Sequence, residues 1–275
     1  MKTMDFKAWM KSIDRMSRSQ RDKLRKRLEG KVITDTVVTL IEQSLNYESA
    51  CPYCMSTKLY RWGKVCELQR YRCRQCNRTF NALTNTPLAR LRHKDKWLNY
   101  EQTMIQGLSL RKSANSCGIA KNTSFKWRHR FLRIPAIQQS NQMNGIVEAD
   151  ETYFLESFKG QHHLPRPSRK RGGKAAKRGT SKEQIARYAK IVHRPVNIAA
   201  GQRVINNIYH IQNVNAYDSR LKQWMAKFHG VATRYLGDYL GWHRMIDRFG
   251  QSITPTFCFL ASLGRTRQFQ QLIVT

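Results

Sequence analysis

The sequence predicts an α+β protein, and three observations carry that prediction. Two Cys-x-x-Cys pairs bracket a short run of alternating basic and aromatic residues, the pattern of a small antiparallel hairpin. Apolar residues recur at helical spacing through the first 45 residues, through residues 87–135 and through the last third. A second strand-like run, IVEADETYFLES, occupies residues 146–157. Four regions follow: an N-terminal helical arm over 1–45, a cysteine-rich β unit over 46–86, a helical region over 87–135, and a C-terminal region over 136–275 that includes a basic loop at 159–182.

In the arm, MKTMDFKAWMKSIDRMSRSQRDKLRKRL reads as an amphipathic helix. Asp5 and Asp14 interrupt it, and it has no apolar core of signal-peptide length. Its basic character extends to the whole chain. Among 275 residues, 50 Lys and Arg face 18 Asp and Glu, leaving a formal charge of +32 and a pI near 10.4. That excess predicts a polyanionic partner and salt-sensitive binding. A membrane surface is the competing partner, but no window approaches the roughly 20 apolar residues that a spanning helix needs. The expected compartment is a reducing cytoplasm, where seven cysteines serve as thiols or metal ligands rather than disulfides.

The β unit holds Cys51-Pro-Tyr-Cys54 and Cys73-Arg-Gln-Cys76, separated by eighteen residues. Each pair can aim two sulfurs at one point, so the spacing predicts a four-thiolate Zn2+ site, a zinc ribbon. Four unrelated free thiols are the competing interpretation. Cys66 falls in the hairpin, and Cys117 and Cys258 sit among apolar neighbours as core or incidental thiols. The metal would staple a segment too small for its own core, and the basic and aromatic surface offers nucleic-acid contact as a second role.

The helical region has the pattern of a helix-turn-helix in GLSLRKSANSCGIAKNTSFKWRHRFL. Ser109 can cap a first helix, Ala114 is small where two helices cross, and Gly118 marks the turn. A second helix starting near Asn122 or Thr123 is expected to expose Ser124, Lys126, Arg128, His129 and Arg130 toward phosphates and base edges. A helical hairpin with a solvated basic face is the alternative. Ser124 is unusual here, because the second helix of such a motif ordinarily turns an aliphatic residue inward at that point.

Within IVEADETYFLES, strand alternation places Glu148, Asp150 and Thr152 on one face. The loop that follows carries Arg166, Arg169, Lys170, Arg171, Lys174, Lys177 and Arg178 among glycines and prolines, a composition suited to tracking phosphates or to simple solvation. Farther on, Asn215, Ser219 and Lys222 share one helical face, with Asp218 beside it. The aromatic stripe Trp224, Phe228, Tyr235, Tyr239 and Trp242 reads as packing rather than base stacking, and FCFLASLGRTRQFQQL reads as a closing helix.

Together the cysteine unit, the ADETYF run and HIQNVNAYDSRLKQWMAKFHGVATRYLGDYLGW resemble bacterial zinc-ribbon insertion-sequence transposases of the ISXO-two-like DDE type, over nearly the whole chain. The resemblance implies an RNase H-like fold for 136–275 and a catalytic set in which Asp150 supplies the first carboxylate and Asn215 the third position, with Lys222 and His210 as further family features. It also implies two Mg2+ ions bound at Asp150 and Asn215, which in intact relatives activate water and then a DNA 3′-hydroxyl for attack on phosphodiesters. The implied partners are double-stranded DNA at terminal inverted repeats and a homo-oligomer, with no membrane, in the nucleoid of a bacterial cytoplasm.

The chain departs from that family in one respect. Family members place several strands and a second catalytic Asp between the basic loop and the HIQN helix, whereas here KEQIARYAKIVHRPVNIAAGQRVINNIYHIQ passes straight across with no Asp. An internal deletion accounts for this and truncates the RNase H-like region. Three functions are therefore in contention: a transposase impaired in DNA strand transfer, a non-catalytic DNA binder competing for transposon ends, and a zinc-ribbon nucleic-acid regulator. Asp218 and Glu183 are the candidate substitutes for the missing Asp.

Overall fold

The structure, a computed structural model, describes residues 3–45, 50–137, 146–150, 152–164, 167, 192, 194–197 and 200–264. The helices are α1 (Thr3–Asp14), α2 (Arg18–Leu45), α3 (Trp97–Ile105), α4 (Leu110–Cys117), α5 (Lys121–Phe131), α6 (Arg133–Ile137), α7 (Gln212–Ala226), α8 (Thr233–Phe249) and α9 (Pro255–Leu263). The strands are β1 (Leu59–Val65), β2 (Leu68–Cys73) and β3 (Thr79–Asn81). None of the described helices is long and apolar enough to cross a membrane. The chain divides into one unit of residues 1–139 and 248–275 and another of residues 140–247.

In the first unit, the arm breaks at Ser17, which begins α2 with a reciprocal cap. The Gln20 N–H donates to Oγ of Ser17, and the Ser17 N–H donates to Oε1 of Gln20 at 2.8 Å. Toward its end α2 buries Val37 and Ile41, and Oε1 of Glu42 accepts from the Gln69 N–H at 2.8 Å, tying the helix to β2. The three strands form one antiparallel sheet in the order β1-β2-β3. Leu59 pairs with Cys73 and Val65 with Leu68, leaving Cys66 and Glu67 as a two-residue turn. Both adopt positive φ, 49° and 71°, the conformation that the right-handed twist of a tight hairpin demands. Cys66 is therefore at the exposed tip, where its carbonyl accepts from Nζ of Lys94.

Helices α3, α4, α5, α6 and α9 pack around Trp97, Tyr100, Met104, Trp127, Phe131 and Phe259, all 2 % exposed or less. Helix α4 starts at Ser109, whose Oγ accepts from the Lys112 N–H, and ends at Gly118 in the left-handed conformation. Helix α9 is bounded just as sharply. Oγ1 of Thr254 accepts from the Phe257 N–H, Pro255 opens the first turn, and Gly264 at φ 70° ends the helix. The closing helix therefore starts two residues before Phe257 and stops at Gly264, and it lies in the core of the first unit with α3.

The second unit is built on α7 and α8. Trp224 from α7 and Phe228 just past its end, 4.7 Å apart, meet Tyr239 and His243 from α8 with ring centroids 5.0 to 6.0 Å apart, and Trp242 is 1 % exposed. Four of the five aromatic-stripe residues, Trp224, Phe228, Tyr239 and Trp242, are thus buried packing. On the outer surface Arg220 grips Asp247 with two bonds of 2.6 and 3.0 Å.

The strand expected over IVEADETYFLES does not form: its described residues have no regular secondary structure. A strand needs a neighbour to satisfy its N–H and C=O groups. Among the described residues the one sheet is β1-β2-β3, and the only other pairing is an isolated bridge between Ile205 and Tyr209. Ile146, Val147, Tyr153 and Leu155 are between 54 and 71 % exposed, as follows when an apolar run has no sheet to join.

Candidate functional site

Two turns of nearly identical build bring the four cysteines together. In the first, the Met55 N–H bonds to the Cys51 carbonyl at 2.9 Å and the Cys51 N–H to the Ser56 carbonyl at 2.9 Å. In the second, the Asn77 N–H bonds to the Cys73 carbonyl and the Cys73 N–H to the Arg78 carbonyl, both at 3.1 Å. Met55 and Asn77 close these turns at φ 58° and 56°. Asparagine adopts this conformation readily, whereas methionine at the same place carries backbone strain.

The four sulfurs lie within 4.8 Å of one another. Cys51 approaches Cys76, and Cys54 approaches Cys73, each at 3.5 Å. A zinc ion with four thiolates at 2.3 Å separates its sulfurs by about 3.8 Å, so the cluster fits tetrahedral zinc closely. The backbone N–H groups of Cys76 and Gln75 point at the Cys73 sulfur and hold it down to about 6, predisposing it to the thiolate that binds metal. At Cys54 the Ser56 N–H acts in the same sense, but desolvation and the neighbouring sulfurs outweigh it and push the thiol up to about 12. Four thiolates this close repel one another, and a divalent cation is the species that relieves the repulsion.

Around the turn at Gly118, α4 and α5 form a compact pair. Lys126 is exposed, as expected, and so are Lys121, Asn122 and Phe125 on the same face of α5. Arg130 is exposed too, but its Nη1 donates to the carbonyls of Pro87 at 3.2 Å and Ala89 at 2.8 Å, so it also holds the linker in place. The helix begins at Lys121, with Ala120 at the cap position and no side chain bonded to its first N–H groups.

Two residues expected on that surface are buried instead. Ser124 is fully buried, accepting from or donating to the Tyr100 hydroxyl at 2.9 Å and donating to the Leu110 carbonyl at 2.9 Å. Arg128 is 2 % exposed, and its Nη2 donates to the Leu108 carbonyl at 2.8 Å and to Oγ of Ser113 at 2.9 Å. Positions 124, 127, 128 and 131 form one helical stripe that faces the core, so Arg128 travels with Trp127 and Phe131 rather than with Lys126. That i, i+3, i+4, i+7 spacing was visible in the sequence. The polar Ser124, in a place that ordinarily takes an aliphatic residue, is the partner that lets Tyr100 end its hydroxyl inside the core.

A buried carboxyl escaped the sequence. Glu101 is fully buried, and Ser262 donates to its Oε1 at 3.2 Å. Burial pushes this carboxyl up to about 8, against smaller opposing effects of Ser262 and Arg128, so it is largely protonated at neutral pH.

In the second unit Asn215, Ser219 and Lys222 are exposed along one face of α7, the placement that their spacing predicts. Asp150 is exposed as well. The two segments that carry Asp150 and Asn215 are joined through Glu148, which accepts from the N–H groups of Asn213 at 2.9 Å and Val214 at 3.1 Å. The cap position of α7 is Ile211, which has no side-chain oxygen to offer, and the Glu148 carboxylate takes over that role from outside the helix. Nδ1 of His210 approaches Oε1 of Glu148 to 3.2 Å without hydrogen-bond alignment. Burial acts to raise the Glu148 carboxyl, but Val214, Asn213 and His210 together hold it below its ordinary range.

Asp218 accepts a hydrogen bond from the Thr152 hydroxyl. Among the described residues, the four cysteines are the one group of three or more His, Cys, Asp or Glu side chains that converges. The donors expected for Mg2+ are one carboxylate, that of Asp150, and the neutral carboxamide of Asn215. Glu183 and the loop residues Arg169, Lys170 and Arg171 lie outside the described residues.

No family profile matches the chain, and no solved structure matches it. The chain is similar to an uncharacterized protein in transposable element ISH50 of Halobacterium salinarum, with 33 % identity over 138 residues, 48 % of this chain and 45 % of that protein. The chain thus spans less than half the length of this relative. What the comparison supports is a protein related to those that transposable elements encode.

Proposed function

We propose that this chain binds DNA at the ends of a transposable element and derives from a transposase whose strand-transfer centre it no longer completes. The observation that carries the proposal is the similarity to a protein encoded within a transposable element. The charge of +32 supports a nucleic-acid partner. Support for the mode of binding comes from α5, which projects Lys121, Asn122, Phe125 and Lys126 beyond a turn of the kind that sets a second helix into a major groove. The zinc site is structural in this proposal: its metal would lock the two cysteine turns.

The missing chemistry has an electrostatic cause. Two divalent ions about 4 Å apart need several anionic oxygens to hold them. Asp150 and Asn215 together provide one formal charge, while Glu148 is engaged with the end of α7 and Asp218 with Thr152. The test uses purified protein, duplex DNA carrying the inverted repeats that flank the gene, and a scrambled duplex. Preference for the repeats is expected, with log affinity falling against log salt at a slope of about −0.9 per phosphate contacted. Neither Mg2+ nor Mn2+ should produce nicks. Equal, salt-independent binding to both duplexes would sink the DNA-end assignment, and cleavage abolished by Asp150→Ala would show that the centre is complete.

A further inference from the structure

The face of the sheet turned away from the cysteines carries an arrangement that metal binding does not require. One side of the ribbon is its core, where Tyr71 stacks on Phe80 beside the buried Cys51 and Cys73. The other side presents Tyr60 and Trp62, with ring centroids 5.7 Å apart. The Arg72 guanidinium lies over Trp62 at 4.9 Å and that of Arg74 over Tyr60 at 5.6 Å. A third pair, Arg78 over Tyr53 at 5.0 Å, links the two cysteine turns. Trp62 and Tyr53 are 44 and 42 % exposed, so guanidinium groups cover part of each ring and leave the rest in water.

The charge around these rings is one-sided. Between residues 50 and 81 the single carboxylate is Glu67, which pairs with Lys31, whereas Lys58, Arg61, Lys64, Arg70, Arg72, Arg74 and Arg78 are all cationic. The exposed Trp62 and Tyr53 and the half-buried Tyr60, alternating with arginines on a positive surface, match two features of an unpaired nucleic-acid strand: its bases stack on aromatic and guanidinium planes, and its phosphates need cations. A duplex offers the phosphates but keeps its base faces stacked on one another.

We propose that this face of the ribbon binds single-stranded DNA, with unpaired bases stacked on Trp62 and Tyr60 and the backbone tracked by Arg72 and Arg74. The choice of DNA rests on the proposed action at element ends, where unpaired strands arise whenever an end is opened. The site is separate from the exposed face of α5, which is suited to intact duplex. One chain therefore holds a duplex reader and a single-strand platform.

The test measures fluorescence anisotropy with the full-length zinc-loaded protein and three labelled probes: a thymidine homopolymer, the matching ribo-homopolymer and an inverted-repeat duplex. Trp62→Ala and Tyr60→Ala should each weaken binding to the thymidine strand by about tenfold while leaving duplex affinity and zinc content unchanged, and Trp62→Phe should restore most of the loss. Unchanged single-strand affinity in both alanine variants would overturn the proposal, as would an equal loss on duplex. Tighter binding to the ribo-homopolymer would overturn the choice of DNA. Failure of the wild-type protein to bind the inverted-repeat duplex would count against the proposed action at element ends and not against stacking on the ribbon, because the single-strand effect of Trp62 is read on a separate probe.

Discussion

Arg128 places its Nη2 2.9 Å from Oγ of Ser113, inside the helical core rather than on its surface. The same nitrogen holds the Leu108 carbonyl, and the guanidinium lies 5.9 Å from the Tyr100 ring centroid. Arg128→Ala removes a cation and deprives the buried Ser113 hydroxyl and the part-buried Leu108 carbonyl of their donor, and it should destabilise the fold by about 3 kcal/mol. Lys126→Ala should leave the unfolding midpoint unchanged and weaken DNA binding. Urea denaturation beside a binding titration separates the two, and a stable Arg128→Ala protein with a selective binding defect would place the guanidinium at the DNA.

Metal analysis should find about one zinc per chain, bound by Cys51, Cys54, Cys73 and Cys76. Cys54→Ser with Cys76→Ser should abolish it. Because each ligand must lose its proton, affinity should fall on acidification. Zinc retained at full stoichiometry in the double variant would place the ion elsewhere.

Glu101 predicts a pH dependence whose sign is fixed by its environment. Its carboxyl titrates at about 8 in the fold against an ordinary 4.5, so between those values the folded chain holds a proton that the unfolded chain has lost. The corresponding stability is complete below pH 4.5 and is lost as the pH rises through about 8, on the order of 5 kcal/mol in all. Glu101→Gln should flatten this slope. Denaturant midpoints for both proteins across the range test it, and parallel curves would contradict the buried neutral acid.

Glu148→Gln should weaken the start of α7. The carboxylate bonds two N–H groups at the positive end of the helix, an arrangement worth about 1 kcal/mol. The Glu148 carboxyl is held low in the fold, so its contribution is present above its ordinary value of 4.5 and is lost as the pH falls through the lower folded one. Hydrogen exchange at Asn213 and Val214 should quicken in the variant, and unaltered protection would assign the cap to another group.

Much of this was legible from sequence. The cysteine spacing determined the convergence of Cys51, Cys54, Cys73 and Cys76, because a Cys-x-x-Cys turn is local chemistry. Ser109 and Gly118 fixed the limits of α4 for the same reason, and the spacing of Asn215, Ser219 and Lys222 placed them on one face of α7. Each of these depends on neighbours within a few residues. Tertiary structure alone decided what depends on distant partners. Arg128 turned inward because α4 and the turn before it offered it acceptors, and Glu148 became the cap of a helix more than sixty residues away because Ile211 has no side-chain oxygen to cap it. IVEADETYFLES remained irregular for want of a strand beside it, since an extended segment has the right alternation by itself but gains its hydrogen bonds only from a neighbour.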